Sequence, residues 1–289
     1  MAGTFSDSWR LTKTSFRLIW EDTALLVFPL VAGLSSLALL VLFGVGTLVI
    51  APAILVGGSL ENSYAIVGIA LFVVAYFGTT FVTVYTTAAL VGAATLKLNG
   101  QQPTASDGWR IARAHLGRLA LWALFSATVG LVIQLIASRF RGIIGLVISA
   151  AAGITWTVVT YFMVPVLLYE HQGPIASLSR SARLFSGTFG RSLVSNLALG
   201  LIIGAGLVAA IVLGVVGLFL LFGGSVLVGV LVVIAALAVA IFVLLVGATA
   251  EGILRAALYR YATTGKIDRD LIPPAYLASA PPPLSWTPR

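Results

Sequence analysis

The sequence predicts an all-α membrane protein, a polytopic bundle of six transmembrane helices. Of its 289 residues, 60% are hydrophobic and only 9% are charged, whereas a soluble domain carries about 25% charged residues. A helix needs about 20 apolar residues to cross the hydrocarbon core, and five longer stretches contain no Asp, Glu, Lys or Arg. These stretches are Thr23–Leu60, Asn62–Leu96, Leu119–Ser138, Gly142–Tyr169 and Ser192–Ala250.

The last stretch is too long for one crossing, because a helix rises about 1.5 Å per residue and the core is about 30 Å thick. It must turn back, and Gly223-Gly224-Ser225 is the expected turn. None of the stretches alternates apolar and polar residues as the strands of a transmembrane barrel do. The predicted spans, numbered one to six, cover residues 24–51, 64–96, 119–138, 142–169, 193–222 and 226–250.

The basic residues predict the orientation of the chain, because Lys and Arg beside short loops favour the cytoplasmic side. Of the 17 Lys and Arg residues, all except Arg139 and Arg141 lie in the two chain ends and in the connections after spans two and four. Both termini are therefore expected to be cytoplasmic, in a multi-pass protein of the plasma membrane. Nucleic-acid binding is not expected despite the net charge of +8, because the chain offers no soluble basic domain.

A short basic phrase occurs three times, once before each pair of spans. The copies are SDSWRLTKTSFR at 6–17, SDGWRIARAHLGR at 106–118 and SRSARLFSGTFGR at 179–191; we call them elbows one, two and three. In elbows one and three, helical spacing separates an apolar stripe from a basic one. This pattern is typical of a helix at the membrane surface, with its apolar face toward acyl chains and its basic face toward phosphates.

The chain is therefore interpreted as three pseudo-repeats, each an amphipathic interfacial helix followed by a transmembrane hairpin. The units cover about 1–98, 99–170 and 171–265 within one transmembrane domain, 1–266. Residues 267–289 are rich in proline and are expected to form a disordered cytoplasmic tail. Ser6, Ser106 and either Ser177 or Ser179 are the expected N-caps of the elbow helices.

The basic residues of the elbows are the candidate contacts for anionic lipid headgroups, or for a protein partner at the cytoplasmic face. They are Arg10, Lys13, Arg17, Arg110, Arg113, Arg118, Arg180, Arg183 and Arg191. The alternative interpretation is that the elbows only aim the hairpins that follow them.

The spans offer little chemistry, so the protein is not expected to be an enzyme or to hold a cofactor or a metal. The chain has no cysteine and lacks the zinc-protease, nucleophile-elbow, P-loop and dinucleotide motifs. His115 and His171 are interpreted as polar residues of the interface. Glu251 stands one helical turn before Arg255, a spacing that predicts an ion pair. Pro29 and Pro165 are expected to kink spans one and four.

Hydroxyl and amide side chains in spans two and three have two interpretations. They are Thr79, Thr83, Thr86, Thr87 and Gln134. Such groups either hydrogen-bond and pack neighbouring helices or line a polar path for a small solute. The sequence therefore favours a non-catalytic protein that interacts with lipids or acts as a scaffold, with a small-solute permease or channel as the alternative.

Two stretches, SWRLTKTSFRLIWEDTALLVFPLVAG at 8–33 and ALYRYATTGK at 257–266, resemble an uncharacterised family of six-span membrane proteins of archaea and bacteria. Elbow three is distantly similar to the elbows of the membrane domain associated with glycerophosphodiester phosphodiesterases. The resemblance implies the six-span fold through about residue 266 and no established activity. It does not imply phosphodiesterase activity, because the chain has no such catalytic domain.

Overall fold

A computed structural model of the chain describes residues 23–56, 62–140, 142–170 and 172–264. Within these ranges the chain forms a 3-10 turn and eight α-helices, and no β-strand. The turn is Thr23–Leu26, and the helices are α1 (Val27–Val56), α2 (Asn62–Leu98), α3 (Ala105–Ala114), α4 (Leu116–Ser138), α5 (Ile143–Thr160), α6 (Met163–Tyr169), α7 (Pro174–Phe222) and α8 (Val226–Thr264).

Six helical segments are long and apolar enough to cross a membrane, so the predicted all-α, six-span fold is confirmed. They are Ala24–Gly44, Ala70–Leu98, Leu116–Ser138, Ile143–Tyr169, Leu199–Phe222 and Val226–Thr264. The turn predicted between spans five and six is also confirmed, since α7 ends at Phe222 and α8 begins at Val226. Gly224 in this turn has φ +96°, a conformation that glycine adopts at little cost.

The outer surface of the spans is apolar, as a surface against lipid tails requires. Phe222 is 84% exposed, Ile143 79% and Phe219 77%. A soluble monomer rarely exposes such a continuous apolar surface. Hydrocarbon chains solvate it in a membrane, so these side chains support the transmembrane interpretation of the helices that carry them.

The described part of the chain divides into two compact units. One comprises the described residues within 28–93 and 103–183, and we call it the α3 unit. The other comprises 23–27, 94–102 and 184–264, and we call it the α8 unit. This division describes packing. The three-unit repeat, which describes the sequence, stays a prediction.

The two elbows within the described residues differ in form. Elbow two forms a separate helix, α3, and the first turn of α4. Elbow three lies inside α7, a continuous helix of 49 residues that also contains span five. The helix is therefore interrupted between elbow two and its span, whereas elbow three and its span form one uninterrupted helix. Elbow one lies outside the described residues, as does the tail at 267–289.

The two prolines of spans one and four have different effects. Pro29 lies in the first turn of α1, where a backbone N–H has no intrahelical acceptor, so proline is tolerated there. Pro29 therefore stands close to the junction between the 3-10 turn and α1 rather than in the middle of the helix, and the expected kink stays a prediction. Span four is broken into α5 and α6 just before Pro165, and the expected irregularity there is confirmed.

Candidate functional site at the elbows

The helix α3, which carries most of elbow two, begins with a capping box. The Thr104 backbone N–H donates a hydrogen bond of 2.9 Å to Asp107 Oδ2, and the Thr104 hydroxyl donates one of 2.7 Å to the same oxygen. The N-cap is therefore Thr104, and the expectation that Ser106 caps this helix is wrong. The reason is the spacing of the box, in which the acid stands three residues after the cap.

Asp107 is held in its ionised form by these contacts. The Thr104 backbone N–H contributes most, followed by the Thr104 hydroxyl and then the charge of Arg110, and together they hold the pKa of Asp107 below its ordinary value of 3.8. Arg110 Nη2 lies 2.7 Å from Asp107 Oδ1. Each contact favours the charged carboxylate over the neutral acid.

The apolar face of α3 packs against other helices of the α3 unit. Gly108 is buried, and a Cβ atom added to it would lie 2.5 Å from the Phe28 ring and 2.6 Å from the Ala89 carbonyl oxygen. The ring of Trp109 lies 5.1 Å from that of Phe28 and 5.5 Å from that of Tyr85, centre to centre. This face of α3 therefore packs against α1 and α2.

The basic side chains of elbow two point to different environments. The Arg110 side chain is 78% exposed, and Arg113 is exposed as well. Arg118, in the first turn of α4, is half-buried, and its Nη1 donates a hydrogen bond of 3.0 Å to the Leu167 carbonyl oxygen. That carbonyl lies near the C-terminus of α6, where a helix lacks intrahelical donors and its dipole attracts a cation.

The arginines of elbow three are likewise divided between buried and exposed positions. Arg180 Nε lies 2.9 Å and 3.0 Å from the two carboxylate oxygens of Glu170. The two side chains are only 13% and 16% exposed, respectively. Arg183 is exposed. Arg191 lies within α7, and its side chain is outside the described part of the chain.

The break in span four is stabilised by elbow three. The Phe162 backbone N–H lies between α5 and α6, and it donates a hydrogen bond of 3.0 Å to Ser181 Oγ. Ser181 is fully buried. Irregular backbone at membrane depth is tolerated only where protein groups or water satisfy it. In the sequence, Pro165 indicates that the helix is interrupted here. Nothing near Pro165 indicates that Ser181 supplies the acceptor.

Three side chains therefore hold α6, and we call them the α6 clamp. They are Ser181 at the start of α6, Arg118 near its C-terminus and Arg180 through Glu170, the residue that follows α6. The α6 side chains from Met163 to Leu168 are buried. Two of the candidate arginines thus have internal roles, whereas Arg110, Arg113 and Arg183 are exposed.

The hydroxyls of span two donate within their own helix. Thr79, Thr83 and Thr86 donate to the carbonyls four residues earlier, at 2.8, 2.8 and 2.7 Å, respectively. Their only hydroxyl hydrogens are thereby used, and acceptor lone pairs remain. Thr87 is half-buried, whereas Gln134 is exposed on the apolar outer face of α4.

Two arginines of α8 act within the α8 unit. Arg255 and Glu251 form an ion pair one turn apart, at the spacing noted in the sequence. Arg260 donates a hydrogen bond to the Leu98 carbonyl oxygen at the C-terminus of α2. Sequence reasoning missed this contact of Arg260. The unsatisfied carbonyls that every helix leaves at its C-terminus were the available signal.

The remaining titratable candidates form no metal site in the described ranges. No group of three His, Cys, Asp or Glu residues placed to hold a metal ion occurs there. His115 lies at the junction of α3 and α4, with its Nδ1 2.9 Å from the Ile111 carbonyl oxygen. His171, like Arg10, Lys13 and Arg17 of elbow one, lies outside the described residues.

The fold and these contacts define a six-span α-helical membrane protein with a broken fourth span and arginine-bearing elbows. Comparison with protein families shows which family the chain belongs to. The model of a family of unknown function, DUF6159, matches residues 62–269, so the chain belongs to that family. No curated protein and no solved structure matches the chain.

Proposed function

We propose that the protein is a non-catalytic membrane protein that binds anionic lipid headgroups through the exposed arginines of its elbows. The observation that carries this proposal is the exposure of Arg110, Arg113 and Arg183 beside clamp arginines that are turned inward. A guanidinium group donates two parallel hydrogen bonds to a phosphate. Each basic residue near an anionic bilayer surface contributes about 1 kcal/mol to the attraction.

The proposed setting is the plasma membrane of a prokaryote, with both chain ends in the cytoplasm. The distribution of Lys and Arg supports this orientation, because the elbows then lie at the cytoplasmic leaflet. The resemblance of residues 8–33 and 257–266 to archaeal and bacterial membrane proteins supports the source. The similarity of elbow three to the membrane domain associated with glycerophosphodiester phosphodiesterases favours a role beside lipid headgroups.

The permease alternative receives less support. The hydroxyls that would line its path donate to their own helix, and Gln134 is exposed on the outer face of α4. Solute flux in proteoliposomes that disappears when Thr79, Thr83 and Thr86 are replaced by Val would favour the permease over lipid binding.

A charge reversal tests the proposal. The double variant Arg110→Glu, Arg113→Glu is reconstituted in nanodiscs of mixed phosphatidylglycerol and phosphatidylcholine, and the retained lipids are counted by native mass spectrometry. We expect the preference for phosphatidylglycerol to fall roughly 30-fold, because two arginines are lost. Arg139→Glu, Arg141→Glu is the matched control, since it reverses two charges on the opposite connection and should change the preference less.

A correctly inserted Arg110→Glu, Arg113→Glu protein with the lipid preference of the wild type would show that the elbows do not select anionic headgroups. A fall of the same size in both double variants would show that only the total charge of the protein matters.

A further inference from the structure

Glu170 occupies Arg180 with both of its carboxylate oxygens. Both carboxylate oxygens lie within 3.0 Å of Arg180 Nε, and carboxylates and phosphates are the two anion classes that a guanidinium binds best. We propose that Glu170 is an internal substitute for a lipid phosphate, which closes an anion site at Arg180 and Arg183 until an anionic headgroup displaces it. This inference rests on the proposed function.

The position of Glu170 supports a contact that can be exchanged. Glu170 directly follows α6 as its C-cap, and the C-terminus of a helix disfavours a negative charge. The carboxylate therefore does not serve the helix that it ends, and its partner Arg180 offsets the unfavourable placement. Asp107 in elbow two differs, because it contacts Arg110 but also completes the capping box of its own helix.

Arg183 makes the site suitable for a phosphate. It follows Arg180 by three residues on α7, and side chains at this spacing are neighbours on a helix surface. Arg183 is exposed, whereas the Arg180 side chain is only 13% exposed. A headgroup that reaches Arg183 therefore comes close to Arg180, and its phosphate can bind both guanidinium groups once Glu170 leaves.

Exchange of Glu170 for a lipid headgroup would also affect span four. Glu170 connects α6 to elbow three, whereas Ser181 and Arg118 hold the two ends of α6 directly. Displacement of Glu170 removes one of the three attachments of the α6 clamp and leaves the other two. Binding of a headgroup at elbow three is thereby coupled to the hold on the broken span.

The test is a double-mutant cycle on retained lipid, in the nanodiscs described above. Because removal of an internal competitor increases the fraction of open sites, Glu170→Gln should raise phosphatidylglycerol retention roughly three- to fivefold. The same change in an Arg180→Gln background should have no effect. Glu251→Gln is the control, since it removes the same charge from an ion pair of the α8 unit.

Three outcomes overturn the inference. They are unchanged retention in Glu170→Gln, a rise that persists without Arg180, and an equal rise in Glu251→Gln. Inorganic phosphate added to nanodiscs of phosphatidylcholine alone distinguishes the source of the ligand. A phosphate adduct that requires Glu170→Gln and Arg180 would assign the site to free phosphate and overturn the lipid assignment.

The two proposals fail separately. If Arg110→Glu, Arg113→Glu weakens anionic-lipid retention while Glu170→Gln does nothing, only the internal substitute is wrong. If the first double variant retains lipid as the wild type does, the proposed function itself fails.

Discussion

Arg110 and Arg118 both belong to elbow two, yet one side chain is exposed and the other is half-buried. Arg110 extends from the outer face of α3, 78% exposed, with Asp107 beside it. Arg118 points to the end of α6 and donates to the Leu167 carbonyl oxygen. A buried carbonyl without a donor costs about 1–3 kcal/mol, so loss of Arg118 should destabilise the fold. Loss of Arg110 removes only an exposed ion pair, which contributes little to stability, and should act mainly on what binds outside.

Gly108 is a residue at which a single methyl group should destabilise the protein. Its Cβ would lie 2.5 Å from the Phe28 ring and 2.6 Å from the Ala89 backbone oxygen, and the backbone atom cannot move aside. We expect Gly108→Ala to cost about 1–3 kcal/mol, measured as a lower melting temperature in detergent. Gly117→Ala is the control, because nothing lies within 4 Å of that Cβ and alanine favours helix. Equal melting temperatures for the two variants would contradict the packing of α3.

The lowered pKa of Asp107 predicts that elbow two is less stable in acid. Its pKa in the folded protein is below the ordinary value of 3.8, so its contacts stabilise the fold above that value. The contribution is lost as the pH falls through the folded pKa. We expect Asp107→Asn to lower the melting temperature at neutral pH, and the gap to close in acid. A gap independent of pH would show that the charge of Asp107 does not matter.

At the scale of elements, span four shows what the sequence reveals and what it hides. Pro165 indicated an irregular helix, because proline removes a donor and clashes with the preceding turn. It did not indicate Ser181 as the acceptor for the Phe162 N–H, because that contact joins residues separated by 19 positions. Pro29 was read as a residue inside span one, because the start of α1 could not be located within a long apolar run, and it lies in the first turn of that helix.

Ser181 should be essential to the break. Ser181→Ala deprives the buried Phe162 N–H of this acceptor, which we expect to cost about 1–3 kcal/mol and to accelerate hydrogen exchange at the start of α6. Ser179→Ala is the matched control, because Ser179 is exposed and its hydroxyl donates to the Ala176 carbonyl of its own helix. If both variants exchange as the wild type does, Ser181 does not hold span four.

At the scale of the whole molecule, the six spans were predictable because charge is excluded from the bilayer core. The last span continues as helix to Thr264, well past Glu251, since a helix outside the core tolerates charge. The internal roles of Arg118 and Arg180 were not predictable, because their partners Leu167 and Glu170 are set by tertiary packing. The sequence pattern marked all the elbow arginines as candidates and did not separate the exposed ones from Arg118 and Arg180.

The orientation can be tested with single cysteines, because the natural chain contains none. Gln101 and Ser225 are exposed in turns that should lie on opposite sides of the membrane. We expect a membrane-impermeant maleimide to label Ser225→Cys in intact cells and Gln101→Cys only after lysis. The unsubstituted chain is the control. Labelling of both positions in intact cells would contradict cytoplasmic termini.

The division of the elbow arginines is the central claim, and single Arg→Gln variants test it directly. The measurement is phosphatidylglycerol retained per protein, with the melting temperature recorded for each variant. The four variants replace Arg110, Arg113, Arg118 and Arg183. We predict that the three exposed positions lose lipid at a nearly unchanged melting temperature, and that Arg118 loses stability while the folded protein keeps its lipid. The same loss of lipid at all four positions would contradict the claim.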